Sequence, residues 1–399
     1  MNGRRPISAA LLGAALLLVT ACGGGGSGSG GSDGKAKPEK VEQANKPSEA
    51  VVTVAPEDGA HAVATSGALR VTAAHGTLSE VKVTDGEGDA VAGKIADGGT
   101  SWKPASHLAS ATTYKVHVVA KDKAGRVSAK DTTFTTLTPK NTFIGYFTPE
   151  DGSTVGVGMP FSLRFTRGIT HPDAVKDSVS ITTKPSVPVE GHWFGNDRLD
   201  FRPEHYWKPG TEVTVKLDLD GVEGRPGVYG KQAKTVTFTI GRSQVSTVDA
   251  KKHEMTVRRD GKVIRTIPVS TGKPGYDTWG GQMVISQRFK VTRMNSETVN
   301  LGSEYDIKDV PHAQRLTDSG TFIHGNYWGA GAFGHYNSSH GCIGLRDVRG
   351  GYDKHVPAAW FYDHSMIGDV VIVKNSHERT VSPANGLNGW NMSWSQWTK

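Results

Sequence analysis

Cysteine is nearly absent from this chain: 399 residues contain two, Cys22 and Cys342. Residues 49–241 contain none, so no β module there can carry an inter-sheet disulfide. A long membrane span is missing too. The apolar run from Ile7 to Val19 is too short for a comfortable transmembrane helix. Nor is there a basic patch. The net charge is +7, but the Lys and Arg residues are scattered, which argues against nucleic acid as a partner. What is present suffices for folding: 36% of residues are hydrophobic and 21% charged, and the length suggests about two to four units.

Residues 1–22 read as an export signal. Arg4 and Arg5 precede the apolar run, and Val19-Thr20-Ala21-Cys22 closes it with small residues before a cysteine. This ending resembles a bacterial lipobox, which implies cleavage before Cys22, acylation there and a membrane attachment through lipid. The expected location is the extracellular face of the cell membrane, anchored at Cys22 and reaching the cell wall. Residues 23–48 begin with a Gly/Ser run and continue Lys-, Glu- and Pro-rich. That composition makes a flexible tether spanning roughly some tens of Å.

The folded part reads as mainly β. In residues 49–138, stretches such as Leu69 to Ala73 and Tyr114 to Val119 alternate, with turn clusters between them, as in a β-sandwich. Residues 139–241 look like a degenerate copy. Pro56-Glu57-Asp58-Gly59 recurs as Pro149-Glu150-Asp151-Gly152, and Thr133-Phe134-Thr135 recurs as Thr237-Phe238-Thr239. Two tandem immunoglobulin-like sandwiches fit this pattern. Residues 242–374 form a third, β-rich unit. It opens on a hairpin turning at Asp260-Gly261 and carries a short helix near Pro357 to His364. The tail, 375–399, is a short subdomain holding Trp390, Trp394 and Trp397. Three free indoles would invite aggregation, so the tail is expected to fold back onto a module.

The chemistry concentrates in Ser339-His340-Gly341-Cys342. With Cys22 lipidated, Cys342 is left as an unpaired thiol in an oxidising setting, where such a group needs a use. A cysteine of ordinary pKa is only a few per cent thiolate at neutral pH, so it needs a base nearby to make it anionic. His340, His324 and His335 are close in sequence. Zinc is not expected, because the His-Gly-Cys spacing is too tight for paired Cys-x-x-Cys ligation. His335 and His355 read as surface or structural residues.

His324, followed after 14 residues by Ser339-His340-Gly341-Cys342, resembles the catalytic signature of the L,D-transpeptidase (YkuD) family. The similarity extends through Trp360 to His364 and Gly368-Asp369-Val370, into the tryptophan-bearing tail and both β modules. It is nearest to the actinobacterial lipoprotein subgroup with two immunoglobulin-like domains. The resemblance implies a YkuD-type catalytic domain over 242–374 and an acyltransferase role in cell-wall biogenesis and cell shape. Cys342 would be the nucleophile and His324 the proton acceptor, with His340 beside them in the catalytic group. The backbone N–H groups of His340, Gly341 and Cys342 would form the oxyanion hole. Met294, Tyr305, Gly325, Trp328 and Ser339 would line the substrate site, under a lid within Gly325–Tyr336. The implied reaction is 3→3 cross-linking of peptidoglycan tetrapeptide stems through a thioester, without cofactor or metal. Alternatives are an L,D-carboxypeptidase and a non-catalytic wall-binding lipoprotein. Carbapenem-type inhibitors would acylate Cys342. Two positions depart from the family. Gly325 stands where the subgroup often has serine. Gly344 stands where asparagine or arginine is common, so a polar contact to substrate is either lost or supplied by Arg346 instead.

Overall fold

A computed structural model describes residues 46–299 and 302–399. The export signal, Cys22 and nearly all of the tether lie outside the described residues.

The fold is mainly β. In the first module alternation decides which residues go inside. Val52 and Val54 on strand Val51–Ala55 turn inward, as do Val71 and Ala73 on the antiparallel strand Arg70–Ala74. On Thr113–Asp122 the inward set is Tyr114, Val116, Val118 and Ala120. Two four-stranded sheets close over this core. The second module repeats the plan with two four-stranded sheets and adds a small three-stranded one.

The repeated tetrapeptide proves to be a lock between distant strands. In the first module Gly59 N–H donates to the Thr133 carbonyl at 2.7 Å, and Thr133 N–H donates back to Asp58 Oδ1 at 2.7 Å. In the second, Gly152 N–H donates to the Thr237 carbonyl at 2.7 Å and Thr237 N–H to Asp151 Oδ1 at 2.8 Å. Gly59 and Gly152 sit at φ +74° and +73°, which glycine adopts without strain.

The third unit is built on one nine-stranded sheet. From one edge the strands run Gly281–Val284, Val370–Lys374, Gln244–Asp249, Glu254–Arg259, Lys262–Ser270, Ile343–Arg346, Phe322–Asn326, Asp306–Arg315 and Gln287–Asn295. Asp260 and Gly261 both have positive φ, as a type I′ turn requires. The helix Pro357–His364 packs on the strands around Phe322–Asn326.

The tail does fold back, and a buried cation holds it. Trp390 and Trp397 are 7% and 1% exposed. Their indole N–H groups donate to the carbonyls of Gly158 (2.7 Å) and Glu190 (2.9 Å) in the second module. The Arg202 guanidinium lies over the rings of Trp390, Trp394 and Trp397, at 4.7, 5.4 and 4.3 Å. It also donates to the carbonyls of Pro203, Gly389 and Met392. Burial lowers its pKa to about 10, so it stays a cation at neutral pH. Nearby, Asn388 and Asn391 accept the N–H groups of Val284 and Gln282, which closes the outermost strand of the large sheet.

Replacing Arg202 with alanine should cost about 3 kcal/mol, from lost cation–π contacts and carbonyls left unpaired. A lower melting temperature and new protease cuts in 375–390 are the expected readouts. Arg202→Lys should recover little, because an ammonium cannot reproduce the planar fork. Unchanged melting in Arg202→Ala would rule out the cage as the clamp.

Candidate active site

Strands Phe322–Asn326 and Ile343–Arg346 are parallel neighbours, with Ile323 opposite Ile343 and His324 opposite Gly344. Side chains alternate between the faces of a sheet. Ile323, Ile343 and Leu345 therefore enter the core. His324, Asn326, Cys342 and Gly344 share the other face. There a cleft of about 370 Å³ opens, lined by Cys342, His324, His340, Tyr305, Met294 and Trp328. Asn326, Ser338, Ala332 and Tyr336 complete much of its wall. Trp328, Ala332 and Tyr336 belong to the segment expected to cover the site.

His324 is 5% exposed. Its Nδ1–H donates to the Gly325 carbonyl at 2.9 Å, which leaves Nε2 as the basic nitrogen. The ring stacks on Trp328 with centroids 5.7 Å apart. Burial holds the imidazole below its ordinary pKa, against the opposing pull of the Gly325 carbonyl and the Asp347 charge. Burial also pushes the Cys342 thiol up to about 11, although the Phe322 N–H and the Arg315 charge favour the anion. The thiol rests 3.7 Å from the Gly320 carbonyl. Both groups are thus uncharged at neutral pH. This corrects the expectation of a standing thiolate: desolvation outweighs the neighbouring donors. The Tyr305 phenol is pushed to about 12, first by burial and then by the nearby thiol, and remains protonated.

Three expected roles change in detail. His340 lines the cleft, but its Nε2 lies 3.1 Å from Lys273 Nζ and 3.4 Å from Glu304 Oε2, between the rings of Tyr276 and Tyr305. That nitrogen is occupied, whereas His324 Nε2 has no hydrogen-bond partner among the described residues. Gly341 N–H is not free for an oxyanion, since it donates to Ser339 Oγ at 3.2 Å. Gly341 contributes shape instead, at φ +109°. Among the described residues the N–H groups of His340 and Cys342 have no acceptor. Ser339 lines the cleft as expected, and its hydroxyl also braces the turn by donating to the Cys342 carbonyl at 2.6 Å. Gly325 faces away from the cleft, toward Asp347. Sequence reasoning passed over Asn326, Lys273, Glu304 and Asp347. Asn326 was within reach, since it has the same strand parity as His324.

A family model described as the L,D-transpeptidase catalytic domain (YkuD) matches residues 243–373, and one for a bacterial Ig domain matches 60–223. L,D-transpeptidase 2 of Mycobacterium tuberculosis (strain CDC 1551 / Oshkosh) is 36% identical over 352 residues, covering 87% of this chain and 83% of that protein. The chain belongs to the L,D-transpeptidase family. L,D-transpeptidase 5 of M. tuberculosis (strain H37Rv) is 29% identical over 90% of this chain and 79% of its own length. A solved LD transpeptidase, LdtMt1 in complex with imipenem, aligns at 30% identity with a TM-score of 0.48, covering 57% of this chain and 97% of that one.

In this L,D-transpeptidase the glycine at 325 has a local cause. A Cβ there would lie 2.0 Å from Asp347 Oδ2. The Asp347 carboxylate is fixed by His312 Nδ1 at 2.7 Å and by the Val348 N–H at 2.7 Å. It therefore cannot yield to a serine. Gly325→Ser should destabilise the enzyme by about 1–3 kcal/mol, as overpacking does. The double variant Gly325→Ser/Asp347→Gly should recover much of that loss in thermal melts. Equal stability of Gly325→Ser and the parent would refute the steric account.

Proposed function

We propose that this L,D-transpeptidase makes 3→3 cross-links in peptidoglycan through a thioester on Cys342. The supporting observation is one cleft containing both a thiol and an imidazole whose Nδ1 is tied to a carbonyl. Sulfur attacks the carbonyl of the third residue of a tetrapeptide stem while its proton passes to His324 Nε2. The N–H groups of His340 and Cys342 receive the charge that develops on the oxygen. Terminal D-alanine leaves with the proton from His324, and a thioester remains. The side-chain amine of a second stem then attacks. It gives a proton to His324, the new amide forms, and the sulfur leaves and regains a proton. Splitting the exchange into two acyl transfers lowers each barrier. The cover of Trp328, Ala332 and Tyr336 restricts water, which favours an amine acceptor over hydrolysis.

The setting belongs to the same proposal. Cys22 carries lipid, the enzyme sits on the outer face of the cell membrane as a lipoprotein, and the two sandwiches lift the cleft toward the wall. A carbapenem presents a strained acyl carbonyl to the same sulfur and traps it.

Intact mass decides the chemistry. Incubation with a tetrapeptide acyl donor should add a tripeptidyl group to the enzyme, and a carbapenem should add its own mass on the peptide containing Cys342. An amine acceptor should clear the tripeptidyl adduct and yield dimer; tripeptide alone would mean a carboxypeptidase. Acylation of Cys342→Ala would sink the nucleophile assignment. The pH dependence has a stated sign. Because burial lowers the His324 pKa, the base stays unprotonated at neutral pH, so carbapenem acylation should fall off only below about pH 6.5. It should stay level across neutrality, since the thiol ionises only near 11. A rate rising steeply between about pH 7 and 9 would instead indicate an ordinary solvated thiol.

A further inference from the structure

Two positions in the cleft wall account for each other. Gly344 lacks the polar side chain common in the family. A Cβ added there would lie 3.3 Å from Asn326 Nδ2 and 3.5 Å from the Ser270 carbonyl oxygen. Asn326, on the adjacent parallel strand, already occupies that space. It is 5% exposed and lines the cleft with His324 and Cys342. Its amide orientation is fixed by chemistry. The Trp328 backbone N–H can only donate, and it meets Asn326 Oδ1 at 3.1 Å. Nδ2 is therefore the other end of the amide, with two hydrogens. Among the described residues no acceptor meets them. The nitrogen is open to the cleft, where an incoming oxygen can accept from it. Arg346, the replacement suggested by sequence, is exposed and borders only a neighbouring hollow with His335 and Pro357, whereas Asn326 borders both that hollow and the cleft.

We propose that Asn326 Nδ2 is a substrate-binding donor, holding a peptide carbonyl oxygen of the acyl-donor stem beside Cys342 in place of the side chain absent at 344. The amide has moved from one strand of the parallel pair to the other. Gly344 is small because Asn326 fills its volume, and Asn326 points into the cleft because Gly344 leaves room. This inference rests on the reading of Cys342 as the acylated residue.

The test uses the full chain and a tetrapeptide acyl donor, with KM and kcat measured separately and melting recorded for each variant. Asn326→Asp keeps an oxygen for the Trp328 N–H and removes the donor. Working at about pH 8 keeps His324 unprotonated although the new carboxylate raises its pKa. KM should rise about tenfold with kcat little changed, the signature of lost uniform binding. Gly344→Asn alone should also weaken binding, because two amides compete for one space. The pair Asn326→Ala/Gly344→Asn should bind the donor better than either single variant, since it returns an amide from the opposite strand. Wild-type KM in Asn326→Asp, or a double variant no better than Asn326→Ala, would overturn the proposal. If wild type itself is never acylated, the nucleophile assignment fails and this inference with it. If wild type is acylated and Asn326→Asp is indifferent, only the role of Asn326 falls.

Discussion

The parallel pairing of Phe322–Asn326 with Ile343–Arg346 is the constraint on which the site depends. Its register is set by apolar burial on the far face. A slip of one residue would send Ile323 and Ile343 into the cleft and His324 into the core. Burying each such side chain contributes about 1.5–3 kcal/mol, so Ile323, Ile343 and Leu345 together penalise a slip by roughly 5 kcal/mol or more. The pair is also held from both sides. Ser270 and Val269 pair with Gly344 and Leu345, while Gln314 and Arg315 pair with Ile323 and Phe322. The catalytic geometry is therefore a by-product of a core that tolerates one register.

Burial that fixes the geometry also sets the charge state. An ion pair of thiolate and imidazolium in this cleft would have to recover the desolvation of both groups. The structure avoids that cost by keeping each neutral. A protonated, half-shielded sulfur is a poor target for oxidation, which proceeds through the thiolate. In the proposed envelope setting, where no reducing pool protects an unpaired cysteine, the feature that slows oxidation is the one that makes the reaction depend on His324. The tautomer set by the Gly325 carbonyl is then as important as the imidazole itself.

Features written in local sequence were legible before any coordinates. The sandwiches showed through alternation, the duplication through its tetrapeptide echo, and the hairpin through Asp260-Gly261. That His324 and Cys342 share one cleft was legible because a spaced signature encodes it. What sequence hid depends on desolvation or on partners remote in the chain. Nothing beside Cys342 announces that burial lifts its thiol to about 11. Gly325 read only as a departure from the family's serine until Asp347, on the neighbouring strand's continuation, proved to fill the space. Ser339 and Gly341 looked exposed to substrate, yet their polar groups bond to each other within the turn. The place of Arg202 among three indoles could not be seen from a position so far upstream.

The second sandwich is more than a spacer, because its core runs into the catalytic sheet. Val284 and Val370 pack in one cluster with Phe161, Leu163 and Trp207. Gly156 N–H donates to the Ile367 carbonyl at 2.8 Å and Gly158 N–H to the Gly368 carbonyl at 2.8 Å. The approach is so close that a Cβ on Gly156 would lie 2.4 Å from the Asp369 backbone nitrogen. Asp369 in turn is paired with Arg242 at 2.9 Å. The tail closes the same seam from the other side through Arg202. The join between the first and second sandwiches is lighter, made by polar contacts such as Thr65 Oγ1 to the Gly221 carbonyl at 2.6 Å and Ser110 Oγ to Asp220 Oδ1 at 2.7 Å. Polar, loop-borne contacts yield before a shared apolar core does. Bending within the described residues should therefore concentrate between the sandwiches, while the second sandwich, the tail and the catalytic sheet move as one body.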